Sequence, residues 1–335
     1  MFNQSSLPEP YPDEALSSWM YRVREILPEP EIRALSGISD HDRETSPLVA
    51  PYLKVLGGLG ADLDFRFERP EILAFTQAYD LSLDWIKSVF SPASAKTIPI
   101  SFRSDYCLQC MEESIAEVGF PVYLKSWRLL LKPFCQKHGC VLQSTNAYLY
   151  DSIDFGMDIF EHGCANPHEL ERESKWLAKD SEVKNLSRMV VNRIDFLLSQ
   201  AEDAVVHDKV QNFVMTLLRI TLMPKLWGNY SSIIKFTVQA GVDFESKKEI
   251  PMFYQLPLRV TGMVRARSFY LIGLLLGWID EEQAGNARPR DDFYLATSAS
   301  TLWRLVGNST RIRTILQLYS TELLGVSMLA DWECF

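Results

Sequence analysis

The stretch YCLQCMEESIAEVGFPVYLKSWRLLLKPFCQKHGC, residues 106–140, contains four of the six cysteines and one of the five histidines in the chain. Cys107 and Cys110 form a Cys-x-x-Cys pair, and after 24 intervening residues Cys135 and His138 form a Cys-x-x-His pair. Tetrahedral zinc requires four such thiolate and imidazole ligands, which two short pairs connected by a folded segment can supply. The spacing therefore predicts a structural zinc site whose ligands are Cys107, Cys110, Cys135 and His138.

Other uses of these cysteines stay open at the level of sequence. A thioredoxin-like redox pair lies between a strand and a helix of a βαβ unit and needs no second pair. Disulfides need an oxidising compartment, and a Cys/His nucleophile pair leaves the paired spacing unexplained. Cys140 is an alternative fourth ligand, although His138 repeats the two-residue spacing of the first pair. Four filled protein ligands would leave no open metal position, which disfavours a zinc enzyme.

The composition is that of a folded protein, with 47% hydrophobic and 23% charged residues in a chain of 335. The N-terminus has no basic region followed by an apolar core, so we expect no signal peptide and a cytoplasmic location. The most apolar run, Phe269–Ile279, is too short to cross a bilayer and predicts a buried helix. A net charge of −9 disfavours a protein whose main task is to grip duplex DNA by its phosphates.

The predicted fold class is mainly α, divided into three regions. We expect an N-terminal helical domain with a helix-turn-helix over residues 1–95, a small zinc-binding module over 96–165, and a C-terminal helical domain over 166–335. In the first region, Asp13 is predicted to cap a helix. The apolar residues of that helix fall on one face, namely Leu16, Trp19, Met20, Val23 and Leu27.

The helix-turn-helix is predicted over residues 69–92. The pattern indicates a helix, a break at residues 79–81, a cap at Ser82 and a second helix to Phe90. Asp80 stands where glycine is usual, which a residue tolerant of the left-handed conformation permits. Four residues supply the apolar positions between the two helices, namely Phe75, Ala78, Leu81 and Ile86. An ordinary helical hairpin remains the alternative.

The charges around this motif favour protein docking over DNA reading. Residues 61–95 carry six acids and three bases, and the second predicted helix offers only Asp84 and Lys87 as charged side chains. A helix that reads bases normally carries Arg, Lys, Asn or Gln flanked by phosphate contacts.

The zinc region has the opposite balance. Residues 118–150 contain four bases and no acid. The bases are Lys125, Arg128, Lys132 and Lys137, and Tyr123 and Trp127 are interleaved with them. Such a module can contact a nucleic-acid backbone, or the charges can form a solvated face with Trp127 in the core. Both alternatives stay open.

Two separated stretches together resemble one family. LPEPYPDEALSSWMYRV, residues 7–23, followed by the cysteine-containing stretch, is similar to the TniQ family of transposition proteins. The matching residues are Pro10, Asp13, Glu14, Leu16, Ser18 and Trp19, then Cys107, Cys110, Trp127, Cys135, His138, Gly139 and Leu142. The resemblance covers about the first 145 residues, and it rests on the order and spacing of both parts together.

The resemblance implies a non-enzymatic target selector that recruits an AAA+ regulator, TnsC. Shorter TniQ members of CRISPR-associated transposons attach to the Cascade guide-RNA complex, and commonly form homodimers. The corresponding partners here would be its guide-RNA-processing subunit and the adjacent backbone subunit. Longer TnsD-type members bind a fixed DNA site instead. The short chain and acid-flanked helix favour the Cascade type, and the TnsD-like DNA-binding selector is the alternative.

Two points extend this prediction. Family members often have a second Cys-x-x-Cys module directly after the first. In this chain, residues 143–160 occupy that place and contain no cysteine. A second zinc site involving Cys140, His162 or Cys164 therefore stays open. The homodimer also has a physical argument, because apolar helices such as Phe269–Ile279 carry more apolar surface than one small domain easily hides. The alternative is that these residues fill an intramolecular core.

Overall fold

The computed structural model describes residues 7–27, 64–92, 96–98, 104–145, 154–165, 181–201, 203–222, 256–258, 260–287 and 296–307. These residues are mainly helical, as the sequence predicts. The chain divides into two compact units, Met1–Leu170 and Glu171–Phe335. The division into three regions at residues 95 and 165 stays a prediction.

The first unit combines helices with a minimal sheet. Its helices are α1 (Leu16–Ile26), α2 (Pro70–Ala78), α3 (Leu83–Phe90), α4 (Leu108–Val118) and α5 (Phe155–Ala165), with a 3-10 helix at Lys125–Arg128. Strand β1 (Asp105–Tyr106) pairs antiparallel with β2 (Gln143–Ser144). The two strands therefore hold the two ends of the zinc-region stretch side by side.

Helices α1, α2 and α3 share one apolar core. The predicted apolar face of α1 is confirmed, because Leu16, Trp19, Met20 and Val23 are buried and Leu27 packs against them. The Trp19 ring lies edge-on to Phe75 at 5.6 Å and to Trp85 at 5.5 Å between ring centroids. Its neighbours in the core include Phe67, Ile72, Phe75, Tyr79, Ile86 and Phe90. Trp19 thus joins α1 to both other helices.

The break between α2 and α3 has the predicted form. Asp80 adopts the left-handed conformation with φ of 52°, which confirms the expectation for a residue in the usual place of glycine. The Ser82 hydroxyl accepts a hydrogen bond from the Trp85 N–H at 3.5 Å and begins α3. Two short helices joined by this turn are consistent with a helix-turn-helix.

The predicted role of Asp13 as a helix cap is wrong. Helix α1 begins at Leu16, and Ala15, which has no capping side chain, occupies the cap position. Asp13 instead has φ of 61° and accepts a hydrogen bond from the Ser126 N–H at 3.1 Å. Its carboxylate is used by a segment more than a hundred residues away, a contact that local pattern rules cannot detect.

The second unit is built around one buried helix. Its described helices are α6 (Ser181–Gln200), α7 (Ala204–Leu222), α8 (Gly262–Leu275), α9 (Glu281–Ala287) and α10 (Ala299–Gly307). Helix α8 packs against α6, α7 and α10. A Cβ atom at Gly273 would lie 2.4 Å from Val190 Cγ2 and 2.7 Å from Ile279 Cδ1, so only glycine fits where α8 meets α6.

The apolar run Phe269–Ile279 fills the core of this unit. Phe269, Tyr270 and Ile272 have no exposed side-chain surface, which confirms the predicted buried helix. The same burial removes the support that this run gave to a homodimer, because the apolar surface of the run is covered within the chain. The homodimer itself stays a prediction from the resemblance. Among the described residues, no helix has both the length and the apolarity to cross a membrane.

Candidate metal centre

The four predicted ligands come together in the first unit. Cys107, Cys110, Cys135 and His138 each offer a ligand atom, and these atoms lie within 4.8 Å of one another. Cys107 precedes α4 and Cys110 lies in its first turn, while Cys135 and His138 lie on a tight hairpin whose flanking residues Phe134 and Val141 form an antiparallel bridge. The arrangement is a candidate metal site, and no other such group occurs within the described ranges.

The distances fit a tetrahedral ion. His138 Nδ1 lies 3.4 Å from Cys107 Sγ, 3.2 Å from Cys110 Sγ and 3.6 Å from Cys135 Sγ. Zinc bonds of about 2.3 Å to sulfur and 2.0 Å to nitrogen at tetrahedral angles place sulfur and nitrogen about 3.5 Å apart. The Cys110 and Cys135 sulfurs are 3.4 Å apart, slightly less than the value of about 3.8 Å for two thiolates on one zinc. The donor set therefore suits zinc in both type and spacing.

The ligand groups strongly influence one another's protonation. The hydrogen bond with Cys110 lowers the pKa of Cys107 to about 7, and the contacts with Cys107 and Cys135 raise the pKa of Cys110. Burial lowers the pKa of His138, but its hydrogen bonds with Glu113 and the cysteine sulfurs outweigh burial and raise that pKa to about 9. Closely spaced thiolates repel one another, so full deprotonation of this cluster requires a cation.

Glu113 also supports the site, although the spacing of the cysteines and the histidine did not indicate this residue. Glu113 Oε1 lies 3.0 Å from His138 Nε2, on the side of the ring opposite the sulfurs, and Glu113 Oε2 lies 2.7 Å from Lys137 Nζ. A carboxylate on the outer nitrogen fixes the tautomer and orientation of a ligating histidine. Glu113 follows Cys110 by three residues on α4, so the two share a helix face. That i, i+3 relation was the only available sequence signal.

The basic side chains of this region differ in their exposure. Arg128 is fully buried and pairs with Asp64, which is also buried. The Lys125 ammonium donates to the Val89 carbonyl at 2.7 Å, near the end of α3. Lys137 pairs with Glu113, as described above. Trp127 is 1% exposed, so it belongs to the core. Arg128 is therefore neither a solvated charge nor available to a nucleic acid, whereas the Lys137 side chain is 53% exposed and remains accessible.

The TniQ-like segment at the N-terminus forms a joint with the zinc region. The Ala15 N–H donates to the Tyr123 carbonyl at 2.9 Å, and the Lys125 N–H donates to the Asp13 carbonyl at 2.8 Å. The Ser18 hydroxyl accepts from the Tyr123 N–H at 3.0 Å. Ala15, Tyr123 and Trp127 also lie in one apolar cluster with Cys107, Cys110 and Cys135. The two separated parts of the sequence pattern therefore build a single core.

A buried ion pair lies at the centre of this joint. Glu14 accepts from Arg22 Nε at 2.9 Å and from Arg22 Nη2 at 2.7 Å. The Ser18 hydroxyl and the Tyr11 N–H also donate to this carboxylate, at 3.2 Å and 2.8 Å. Burial raises the pKa of Glu14, and the bonds with Arg22 oppose that rise. Four donors on one carboxylate satisfy a charge that would otherwise be costly to bury.

The open question of a second zinc site has a partial answer. His162 lies on the exposed side of α5, and the side chain of Cys164 lies outside the described part of the chain. Cys140 lies beside the first site, with its sulfur 3.6 Å from Cys107 Sγ. Of the three residues considered for a second site, Cys140 thus belongs to the surroundings of the first.

The fold and the site define a mainly helical protein that contains a compact Cys/His cluster able to hold a metal ion. Residues 6–142 match the family model described as TniQ, which confirms the resemblance: the chain carries a TniQ domain over this range. No curated protein and no solved structure matches the chain. A TniQ domain implies a protein associated with transposition.

Proposed function

We propose that this protein is a non-enzymatic target-selection adaptor in RNA-guided transposition. It would link the Cascade guide-RNA complex, through the guide-RNA-processing subunit and the adjacent backbone subunit, to the AAA+ regulator TnsC. The TniQ domain supports the coarser part of this proposal, an association with transposition. The resemblance suggests the finer part, and a protein partner rather than free DNA is supported by the net charge of −9 and by the buried pair of Arg128 with Asp64.

Phosphate binding requires cationic side chains that are free to displace counterions. Arg128 is buried against Asp64 and Lys125 donates to the Val89 carbonyl, while Lys137 is 53% exposed and makes a surface ion pair with Glu113. On α3, Lys87 pairs with Glu68 at 2.7 Å, and Asp84 is exposed. A chain with net charge −9, in which Arg128 is buried in an ion pair, is better suited to protein partners than to free duplex DNA.

The helices α2 and α3 would then act as a helix-turn-helix that docks on protein. Structural zinc held by Cys107, Cys110, Cys135 and His138 would stabilise the module against which these helices are positioned. Because four protein ligands leave no open coordination position, we propose no catalytic role for the metal.

The homodimer remains part of the proposal. Light scattering would give about twice the 38.4 kDa of one chain if it is correct, and a mass near 38.4 kDa would contradict it.

Co-purification with assembled Cascade and a gel shift on duplex DNA test the proposal together. We expect the chain to co-purify with Cascade and to shift DNA only when Cascade is present. Reversing the charge on α3 with Lys87→Glu or Asp84→Lys should weaken Cascade association, whereas Arg188→Glu on the exposed surface of α6 should not. A shift by the isolated chain at physiological salt, lost in the α3 variants while Cascade binding persists, would favour the TnsD-like DNA-binding selector.

A further inference from the structure

The metal-binding module holds one more ligand group than zinc needs. Besides the four predicted ligands, Cys140 places its sulfur 3.6 Å from Cys107 Sγ. The separation from Cys107 Sγ is close to the spacing of about 3.8 Å between two thiolates on the same zinc ion. Cys140 is also partly exposed, while Cys107, Cys110 and Cys135 are buried.

The backbone holds Cys140 in this place. The Cys135 N–H donates to the Cys140 carbonyl at 2.8 Å, and the Leu142 N–H donates to the Pro133 carbonyl at 2.9 Å. Gly139, with φ of 63°, makes the turn between them and donates to the Cys135 carbonyl at 2.8 Å. The hairpin that presents Cys135 and His138 to the site therefore also fixes the position of Cys140.

We propose that Cys140 is a reserve metal ligand that takes over when His138 leaves the ion. The proposal rests on the proposed zinc site. The His138 side chain is 16% exposed, so its imidazole is the ligand of the four that solvent reaches most readily. Three thiolates keep the ion when the imidazole dissociates, and the neighbouring Cys140 sulfur completes a four-sulfur site. In structural sites, zinc accepts both four cysteines and three cysteines with one histidine.

Four forms of the full-length chain test this inference: wild type, Cys140→Ser, His138→Ala and the double variant. We expect about one zinc per chain in the first three and its loss in the double variant. Cobalt substitution should give a three-sulfur, one-nitrogen spectrum for wild type and Cys140→Ser. The His138→Ala spectrum should move to longer wavelength and show a stronger sulfur charge-transfer band. If His138→Ala loses zinc as completely as the double variant, the inference is overturned.

A second measurement avoids any variant that removes His138. A chelator in excess should take zinc several-fold faster from Cys140→Ser than from wild type, because the reserve thiol recaptures the ion after the imidazole detaches. Equal rates would overturn the inference even if His138→Ala does not fold. A wild-type chain that holds no zinc after purification and reconstitution would instead overturn the proposed metal site itself, so the two failures are distinguishable.

Discussion

Replacing Glu14 by glutamine should destabilise the first unit far more than any exposed carboxylate substitution does. The variant keeps the shape of the side chain but removes its charge, and Arg22 then has no anionic partner at a site where both side chains are at most 2% exposed. Removal of one member of a buried ion pair costs about 3–5 kcal/mol, because the remaining charge stays desolvated. Glutamine keeps only one acceptor oxygen, whereas the Tyr11 N–H and the Ser18 hydroxyl donate to different oxygens of Glu14, so one of these two bonds is lost as well. We therefore expect a loss of about 3–5 kcal/mol.

A double-variant cycle separates the pair from its surroundings. Arg22→Met alone leaves the Glu14 carboxylate uncompensated and should cost about as much as Glu14→Gln. The combined variant buries no charge, so its cost should fall below the sum of the two single costs by about 2 kcal/mol or more. Glu25→Gln is the matched control on the same helix. Its side chain is 41% exposed and pairs with Arg24 at the surface, so we expect a change below about 0.5 kcal/mol.

The stability changes in these variants can be measured by hydrogen exchange at increasing urea concentration. The exchange is followed by mass spectrometry in the full chain at a fixed zinc concentration. Peptides from α1 and α3 report the free energy of opening of the first unit, and peptides from α8 report the second unit as an internal reference. The reasoning is refuted if Glu14→Gln lowers the opening free energy of α1 by less than about 1 kcal/mol, or if the two single costs add in the double variant.

Three further predictions concern the metal and the second unit. Cys110→Ser should lose the metal and unfold the module between the two ligand pairs, which metal analysis and circular dichroism would detect; a folded, metal-free wild type at neutral pH would contradict this. Glu113→Gln should weaken zinc affinity by about 10–100-fold in a chelator competition, while Lys137→Met, which removes the other partner of that carboxylate, should change it little. Gly273→Ala should cost about 1–3 kcal/mol in the opening free energy of α8, because its new methyl group overlaps a side chain of α6. Gly285→Ala on α9, where a Cβ meets nothing within 4 Å, should be neutral or slightly stabilising, and an equal loss in both variants would contradict the packing argument.

The clustering of Cys107, Cys110, Cys135 and His138 could be predicted from the sequence because the relevant information is local. Each ligand pair is set by a two-residue spacing, and only the closure of the loop between the pairs depends on the rest of the fold. The apolar faces of α1, α2 and α3 were predictable for the same reason, since helical periodicity is visible within a dozen residues. Even the unusual conformation of Asp80 follows from its place between two helices.

The sequence failed where a side chain serves a distant segment. Asp13 looked like a helix cap, but its partner is the Ser126 N–H. Arg128 looked like part of a basic stripe, because charges counted along one segment omit the buried Asp64 that pairs with it. In the second unit, the pattern of α8 shows that it is buried but not by what, and its partner Val190 lies some eighty residues earlier. Hydrophobicity alone cannot distinguish an intramolecular core from a subunit interface.

The joint gives a physical reason why the two halves of the TniQ-like pattern occur together. Asp13, Ala15 and Ser18 all bond to the backbone of residues 123–126, and that backbone lies in the same core as the ligand cysteines. An ion that fixes the cysteines would therefore also fix the surface on which α1 begins. Because Trp19 on α1 contacts Phe75 and Trp85, the position of α1 would in turn influence the positions of α2 and α3. A metal site whose ligands all lie outside α3 would in this way still determine where α3 is presented.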